Sequence, residues 1–218
     1  MKTYQRIVIL FSMGVLLMAR GANQPVYSQT KESGDTKLDQ QARDFLDSRK
    51  NSWEDLNVPE ADGQLLYDII VKNNYKNAVE IGTSTGHSGI WIAWALSKTG
   101  GKLITIEIDE GRYKEALANF KEAGLSEYID ARLADAHELV PALKGPVDFV
   151  FSDADKSWYI NYFKDMDPKL TVGGCFATHN VDRNTNYSFY EYVSKLPTYK
   201  TTLDNRGRGM SISYKTGK

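Results

Sequence analysis

The segment Ala78-Val79-Glu80-Ile81-Gly82-Thr83-Ser84-Thr85-Gly86-His87-Ser88-Gly89 limits the possible folds more than any other stretch of the chain. An apolar run ends in an acid, a Gly/Ser/Thr loop follows, and a helical pattern starts at Ser88. A strand, a tight glycine turn and a helix N-terminus in that order make a cradle for a polar cofactor. Glycine lets the backbone approach the ligand, and the unpaired N–H groups face it. About twenty residues on, Leu103-Ile104-Thr105-Ile106-Glu107-Ile108-Asp109 reads as a second strand with an acid at its C-terminal end, where it can take the two hydroxyls of a ribose. The loop is E-x-G-x-x-x-G, not the G-x-G-x-x-G that grips a dinucleotide pyrophosphate. That spacing favours a nucleoside without phosphates, and so S-adenosyl-L-methionine over NAD. Any α/β domain can carry a glycine turn after its first strand, so Glu107 is the residue that narrows the reading.

The rest of the chain continues the alternation. A helix is expected from Leu38 to Trp53 and a second from Pro59, where Pro and Glu60 suit a helix start and Leu66, Ile69 and Ile70 share a face. Strands at 77–81, 102–108, 128–134, 147–152 and 170–178 then alternate with helices at 88–98, 110–123, 136–144 and 157–166. The strands are short apolar runs without polar alternation, as in a parallel sheet covered on both faces. Tyr113, Leu117 and Phe120 keep the spacing of a buried helix face, and so do Tyr159, Tyr162, Phe163 and Met166. Trp158 falls outside that stripe and is the better pocket candidate. A helix at 186–196 precedes two alternating segments, Tyr199–Asp204 and Gly209–Tyr214, which suit an antiparallel hairpin at one sheet edge. The fold class is therefore α/β and Rossmann-like: a mostly parallel seven-stranded sheet with helices on both faces.

The N-terminus follows another plan. Lys2 and Arg6 precede a thirteen-residue apolar run, Ile7 to Ala19, and a small-residue region follows. This is the pattern of a secretory signal peptide, and the run is short for a membrane span, which needs ~20 apolar residues. We therefore expect a signal-like segment at 1–28, a flexible tether at 29–37 and one catalytic domain at 38–218, exported or membrane-tethered; a cytoplasmic location is the alternative. Removing residues 1–28 takes away Lys2, Arg6 and Arg20 and no acid, leaving 24 basic against 28 acidic residues. No basic run exceeds two residues, which argues against a nucleic-acid partner. Cys175, the single cysteine, allows no internal disulfide and reads as a core residue. The chain leaves open whether the protein is a homodimer.

Ligands of open α/β sheets sit outside the C-terminal ends of the strands. Those positions collect Glu80, Glu107, Asp135, Asp153, Asp155, Lys156, His179 and Asn180. Asp135 and Asp155 are equally well read as helix N-caps. The segments Phe149 to Lys156 and Ala177 to Asn180 end adjacent strands, bringing two or three oxygen donors and one imidazole around a single cation.

With Asn57-Val58, Gly63-Gln64, the Glu80–Ser88 loop, Thr105-Ile106-Glu107-Ile108, Asp153-Ala154-Asp155-Lys156 and His179-Asn180-Val181, the chain from 38 to 214 resembles the metal-dependent O-methyltransferases. The catechol and caffeoyl-CoA O-methyltransferases are its best-known branches. The resemblance implies that Val58, Glu80, Gly82, Ser84, Ser88, Glu107, Ala136, His137 and Asp153 surround S-adenosyl-L-methionine. Glu107 would hold the ribose, and Ala136-His137 would flank the adenine. It further implies that Asp153, His179 and Asn180 bind a divalent metal, Mg²⁺ or Ca²⁺, which chelates two vicinal hydroxyls of a small aromatic diol. Lys156 would be the general base; a lysine beside a cation finds its charged form disfavoured and can accept a proton near neutral pH. The chain departs from the family at His179, where an aspartate is usual. An imidazole carries no negative charge, so hard Mg²⁺ and Ca²⁺ should bind more weakly, and Zn²⁺, Co²⁺, Ni²⁺ or Mn²⁺ should be tolerated better. The competing view makes His179 a hydrogen-bonding partner of the substrate in a metal-free site.

Two other functions fit the same residues less well. A transfer-RNA hydroxyuridine methyltransferase of this fold needs basic surface that the chain lacks. A non-catalytic binding protein would keep the cofactor cradle and lose turnover through His179. A chain starting near Gln29 is expected to be soluble and to keep its cofactor affinity, measured by calorimetry. An intact N-terminus on soluble cytoplasmic protein would defeat the export reading.

Overall fold

The computed structural model describes residues 36–218 except 51, 54 and 55, so the signal-like segment and most of the tether lie outside the described residues. The strands are β1 (Asn77–Ile81), β2 (Lys102–Glu107), β3 (Ile129–Leu133), β4 (Val147–Ser152), β5 (Leu170–His179), β6 (Tyr199–Asp204) and β7 (Met210–Lys215). They form one sheet in the order β3-β2-β1-β4-β5-β7-β6. β1 to β5 pair in parallel, whereas β7 runs antiparallel to β5 and to β6, forming the expected edge hairpin. The helices are α1 (Lys37–Ser48), α2 (Glu60–Asn73), α3 (His87–Thr99), α4 (Glu110–Glu122), α5 (Ala136–Ala142), α6 (Tyr159–Met166) and α7 (Tyr187–Ser194).

The apolar strands are buried on both faces, which is why they lack alternation. Val150 and Phe176 pack against Tyr159 and Phe163 of α6 and Phe189 of α7. Their neighbours Phe149, Phe151, Cys175 and Ala177 pack on the other face with Leu66 and Ile70 of α2 and Ile92 of α3. Cys175 is thus the core residue expected, and α6 buries Tyr159, Tyr162, Phe163 and Met166 as its spacing predicts. In α4 the buried face is Ala116, Asn119 and Phe120, and Leu117 is exposed. The apolar periodicity misled there because a polar Asn119 turns inward to donate to the Thr85 carbonyl at 2.8 Å.

α1 starts inside the expected tether and stops five residues short of Trp53. Thr36 and Asp39 close a capping box around its first turn. Asp39 also accepts from Trp94 Nε1 at 2.7 Å and pairs with Lys98, pinning α1 onto α3. Burial works against its charge, but these donors outweigh it and hold the carboxyl well below the usual range. Beyond α1 the chain turns back, and the Trp53 ring stacks on His87 at 4.4 Å.

His87 fixes the entry to α2 against the entry to α3. Its Nδ1 lies 2.8 Å from the Val58 carbonyl, and Trp91 Nε1 donates to its Nε2 at 3.1 Å. One nitrogen donates and the other accepts, so the ring is neutral with its proton on Nδ1. Burial pushes His87 down to about 4, against the pull of the Val58 carbonyl. A histidine that titrates lower in the fold than in the unfolded chain loses stability as pH falls from about 6.5 towards 4. The wild-type unfolding free energy should therefore drop by roughly 2–3 kcal/mol more over this range than that of His87→Gln. Parallel curves in denaturant titrations would remove His87 from this role.

Candidate active site

Strand register builds the site. Ile81 pairs with Ser152 and Ser152 with Thr178, so the next residues, Gly82, Asp153 and His179, stand side by side where the strand order reverses between β1 and β4. That reversal opens a crevice at the C-terminal edge of the sheet. A cleft of about 740 Å³ occupies it.

At the β1 end the chain has no room for a side chain. Gly82 has φ 98°, and a Cβ there would meet the Asp153 carbonyl at 3.0 Å. The loop is tied to β2 through Glu107. Its Oε2 accepts from the Ser84 N–H at 2.8 Å, and its Oε1 accepts from the N–H groups of Ile108 at 3.0 Å and Asp109 at 2.9 Å. Two carboxylate oxygens offer about four acceptor positions, so these donors leave room for a ligand hydroxyl. Gly82, Ser84 and Glu107 all line the cleft.

Ala136 and His137 of α5 line it further along. The His137 ring lies 4.5 Å from Trp158 and 5.7 Å from Tyr162, making an aromatic wall suited to a flat base. Tyr162 itself reaches the cleft, whereas Trp158 contributes by packing on His137. Asp135 caps α5 through the His137 N–H at 2.8 Å, and Asp155 caps the following turn through the Ser157 N–H at 3.0 Å. Both acids are therefore N-caps, and both still border the cleft.

Three residues expected around the cofactor do not line this cleft. Glu80 is fully buried beneath the loop and accepts from Thr105 Oγ1 at 2.6 Å. Burial pushes its carboxyl up to about 8, against hydrogen bonds from Ser88 and Thr105, so it is a neutral support under the loop. Ser88 is buried in the first turn of α3 on that same carboxyl. Val58 borders a neighbouring cavity of about 290 Å³ walled by Trp53, Trp91 and Trp94. Its carbonyl serves His87 instead.

Asp153, Lys156, His179 and Asn180 converge at the other end of the cleft. Lys156 Nζ donates to Asn180 Oδ1. Asn180 holds φ 52°, a left-handed conformation that asparagine tolerates and that recurs at functional positions. His179 is buried between two carboxylates, with Nδ1 2.9 Å from Asp153 Oδ2 and Nε2 2.9 Å from Asp62 Oδ2. Burial opposes a charge on the ring, but the hydrogen bonds and negative charge of Asp153 and Asp62 outweigh it and raise His179 to about 9.

The donors present fit a divalent cation. One carboxylate, one imidazole and one amide line this end of the cleft, a mixed set that would suit borderline ions. Among the described residues no group of three or more His, Cys, Asp and Glu side chains is arranged to hold a metal.

Asp62 and Arg208 are the site residues that sequence patterns missed. Asp62 lies in the first turn of α2, where an acid is routinely explained by the helix dipole. Arg208 stands in the hairpin turn and borders both cavities. Long-range contacts mark them out: Asp62 Oδ2 accepts from the Arg208 N–H at 3.0 Å and bonds His179 Nε2.

The chain is 33% identical over 136 residues to caffeoyl-CoA O-methyltransferase 1 of Eucalyptus globulus, covering 60% of this chain and 55% of the relative. It is 38% identical over 113 residues to the catechol O-methyltransferase of Niastella koreensis, covering 50% and 51%. The chain thus spans about half the length of the curated relatives it matches. Among solved structures, an O-methyltransferase from Bacillus cereus in complex with SAH aligns with a TM-score of 0.68 at 24% identity, covering 84% of this chain and 92% of that one. That likeness speaks to the fold. The O-methyltransferase family model matches residues 31–187, most of the sheet and every strand end that builds the cleft, and the chain belongs to that family.

Proposed function

We propose that the protein is an S-adenosyl-L-methionine-dependent O-methyltransferase acting on one hydroxyl of a small aromatic diol, with a divalent cation at Asp153, His179 and Asn180. The observation that carries this reading is the convergence in one cleft of a ribose-type carboxylate, Glu107, with Asp153, Lys156, His179 and Asn180. The caffeoyl-CoA and catechol relatives support the phenolic acceptor.

Methyl transfer from a sulfonium to a hydroxyl is an in-line displacement. The O–C bond forms as the C–S bond breaks, sulfur leaves as a neutral thioether, and the hydroxyl proton passes to a base. Holding oxygen and methyl carbon in line is worth up to ~7–11 kcal/mol of the barrier. The Gly82–Ser84 loop and Glu107 fix the nucleoside end, and the His137–Trp158–Tyr162 wall fixes the flat end. A bound cation supplies charge stabilisation for the developing phenolate. Lys156, from the loop after β4, takes the hydroxyl proton on Nζ, and Asn180 holds that amine in place.

General bases contribute typically ~10²–10⁴-fold to rate. Lys156→Ala should therefore lower kcat on catechol at least ~100-fold while cofactor affinity stays within about twofold. A variant that turns over catechol at the wild-type rate across neutral pH would move the base elsewhere.

A further inference from the structure

Asp62 is 1% exposed and sits in the first turn of α2, yet its carboxylate points away from solvent towards β5 and the β6–β7 turn. Its Oδ2 accepts from His179 Nε2 at 2.9 Å and from the Arg208 N–H at 3.0 Å. The turn is shaped around it, since a Cβ on Gly207 would fall 1.9 Å from Asp62 Oδ1. Oδ1 has no hydrogen-bond partner of its own. Burying a carboxylate is costly unless it is paired, and an acid serving the helix dipole alone could face water. The position and its orientation are explained by His179.

An imidazole that donates from one nitrogen presents a lone pair on the other, and the partner of the donating nitrogen decides which is which. Both ring nitrogens face a carboxylate; with Nε2–H committed to Asp62, a cation that displaces the proton Nδ1 shares with Asp153 finds the lone pair on Nδ1. We infer that Asp62 is a positioning residue for the cation site: it fixes His179 in the Nε2–H tautomer and lends the ring the negative charge that an imidazole lacks. The Asp62–His179 pair thereby does the work of one carboxylate ligand, which explains how the family's usual aspartate is replaced without emptying the site of charge. This inference rests on the metal-assisted reading above.

The test uses the full-length chain without cofactor or acceptor, titrated with Mn²⁺, Co²⁺ and Zn²⁺ by calorimetry, with ¹⁵N spectra of the histidine rings. In the wild type, each ion should shift the His179 Nδ1 resonance while Nε2 keeps its proton. In Asp62→Asn the side-chain amide can donate to Nε2, reversing the tautomer. Cation affinity should then fall about 10–100-fold, the usual cost of removing such an outer partner, with S-adenosylmethionine affinity within about twofold of wild type. Wild-type affinity in Asp62→Asn, or a cation-bound wild type whose Nε2 has lost its proton, overturns the role of Asp62 and leaves the metal reading standing. A wild type that binds none of these ions and still methylates catechol after exhaustive chelation overturns both. The wild-type spectra alone decide the tautomer if the variant does not fold.

Discussion

The carboxylate of Glu107 is the knot on which the site depends. Three backbone N–H groups from two separate segments end on it, from Ser84 after β1 and from Ile108 and Asp109 after β2. Hydrogen bonds to a charged group contribute ~1.5–3 kcal/mol each, so this one side chain holds the glycine loop at a fixed height above the sheet. The loop has little freedom elsewhere. The N–H groups of Gly82 and Thr83 both donate to the Ile106 carbonyl, and Gly82 presses against the backbone of Asp153. Beneath it the neutral Glu80 carboxyl fills space that a charged group could not occupy cheaply. Hydrogen bonds within the chain thus set the shape of the cleft.

Charge is organised differently at the far end. Two carboxylates, the buried Asp62 and the partly exposed Asp153, flank one imidazole, and the Lys156 amine sits on the Asn180 amide. Asp62 Oδ1 apart, these polar groups bond neighbours that also belong to the site, so a change at one is felt by the others. His87 shows the contrasting case. It is buried among tryptophans with one donor and one acceptor, stays neutral, and ties loops together. The two histidines differ only in their neighbours. Two carboxylates favour a second proton on one, and burial among apolar rings favours the neutral form of the other.

Much of this was legible in the sequence because local rules and the global fold agree. Every expected strand is present within one or two residues, since a parallel sheet buried on both faces leaves continuous apolar runs. The acids at strand ends were legible because topology places those ends in one crevice. What stayed hidden depends on contacts distant in sequence. Asp62 meets His179 across 117 positions, and no periodicity marks such a pair. Glu80, Ser88 and Val58 lie in the right segments, but strand pleat and helix phase turn their side chains under the loop or towards a second cavity. The early end of α1 follows from Trp53 stacking on His87, a tertiary contact that overrides a helical pattern.

In the proposed function this cleft holds a nucleoside sulfonium through Glu107. Calorimetric titration of S-adenosylmethionine into the wild type and into Glu107→Gln tests it most directly, with NAD as the comparison ligand. The glutamine keeps the size but replaces one charged acceptor oxygen with a donor NH2, so affinity should fall by roughly tenfold or more, at least the ~1.5–3 kcal/mol of a charged hydrogen bond. NAD should give no heat in either protein. Equal affinity of the two proteins for S-adenosylmethionine, or wild-type binding of NAD, would rule out this role of Glu107.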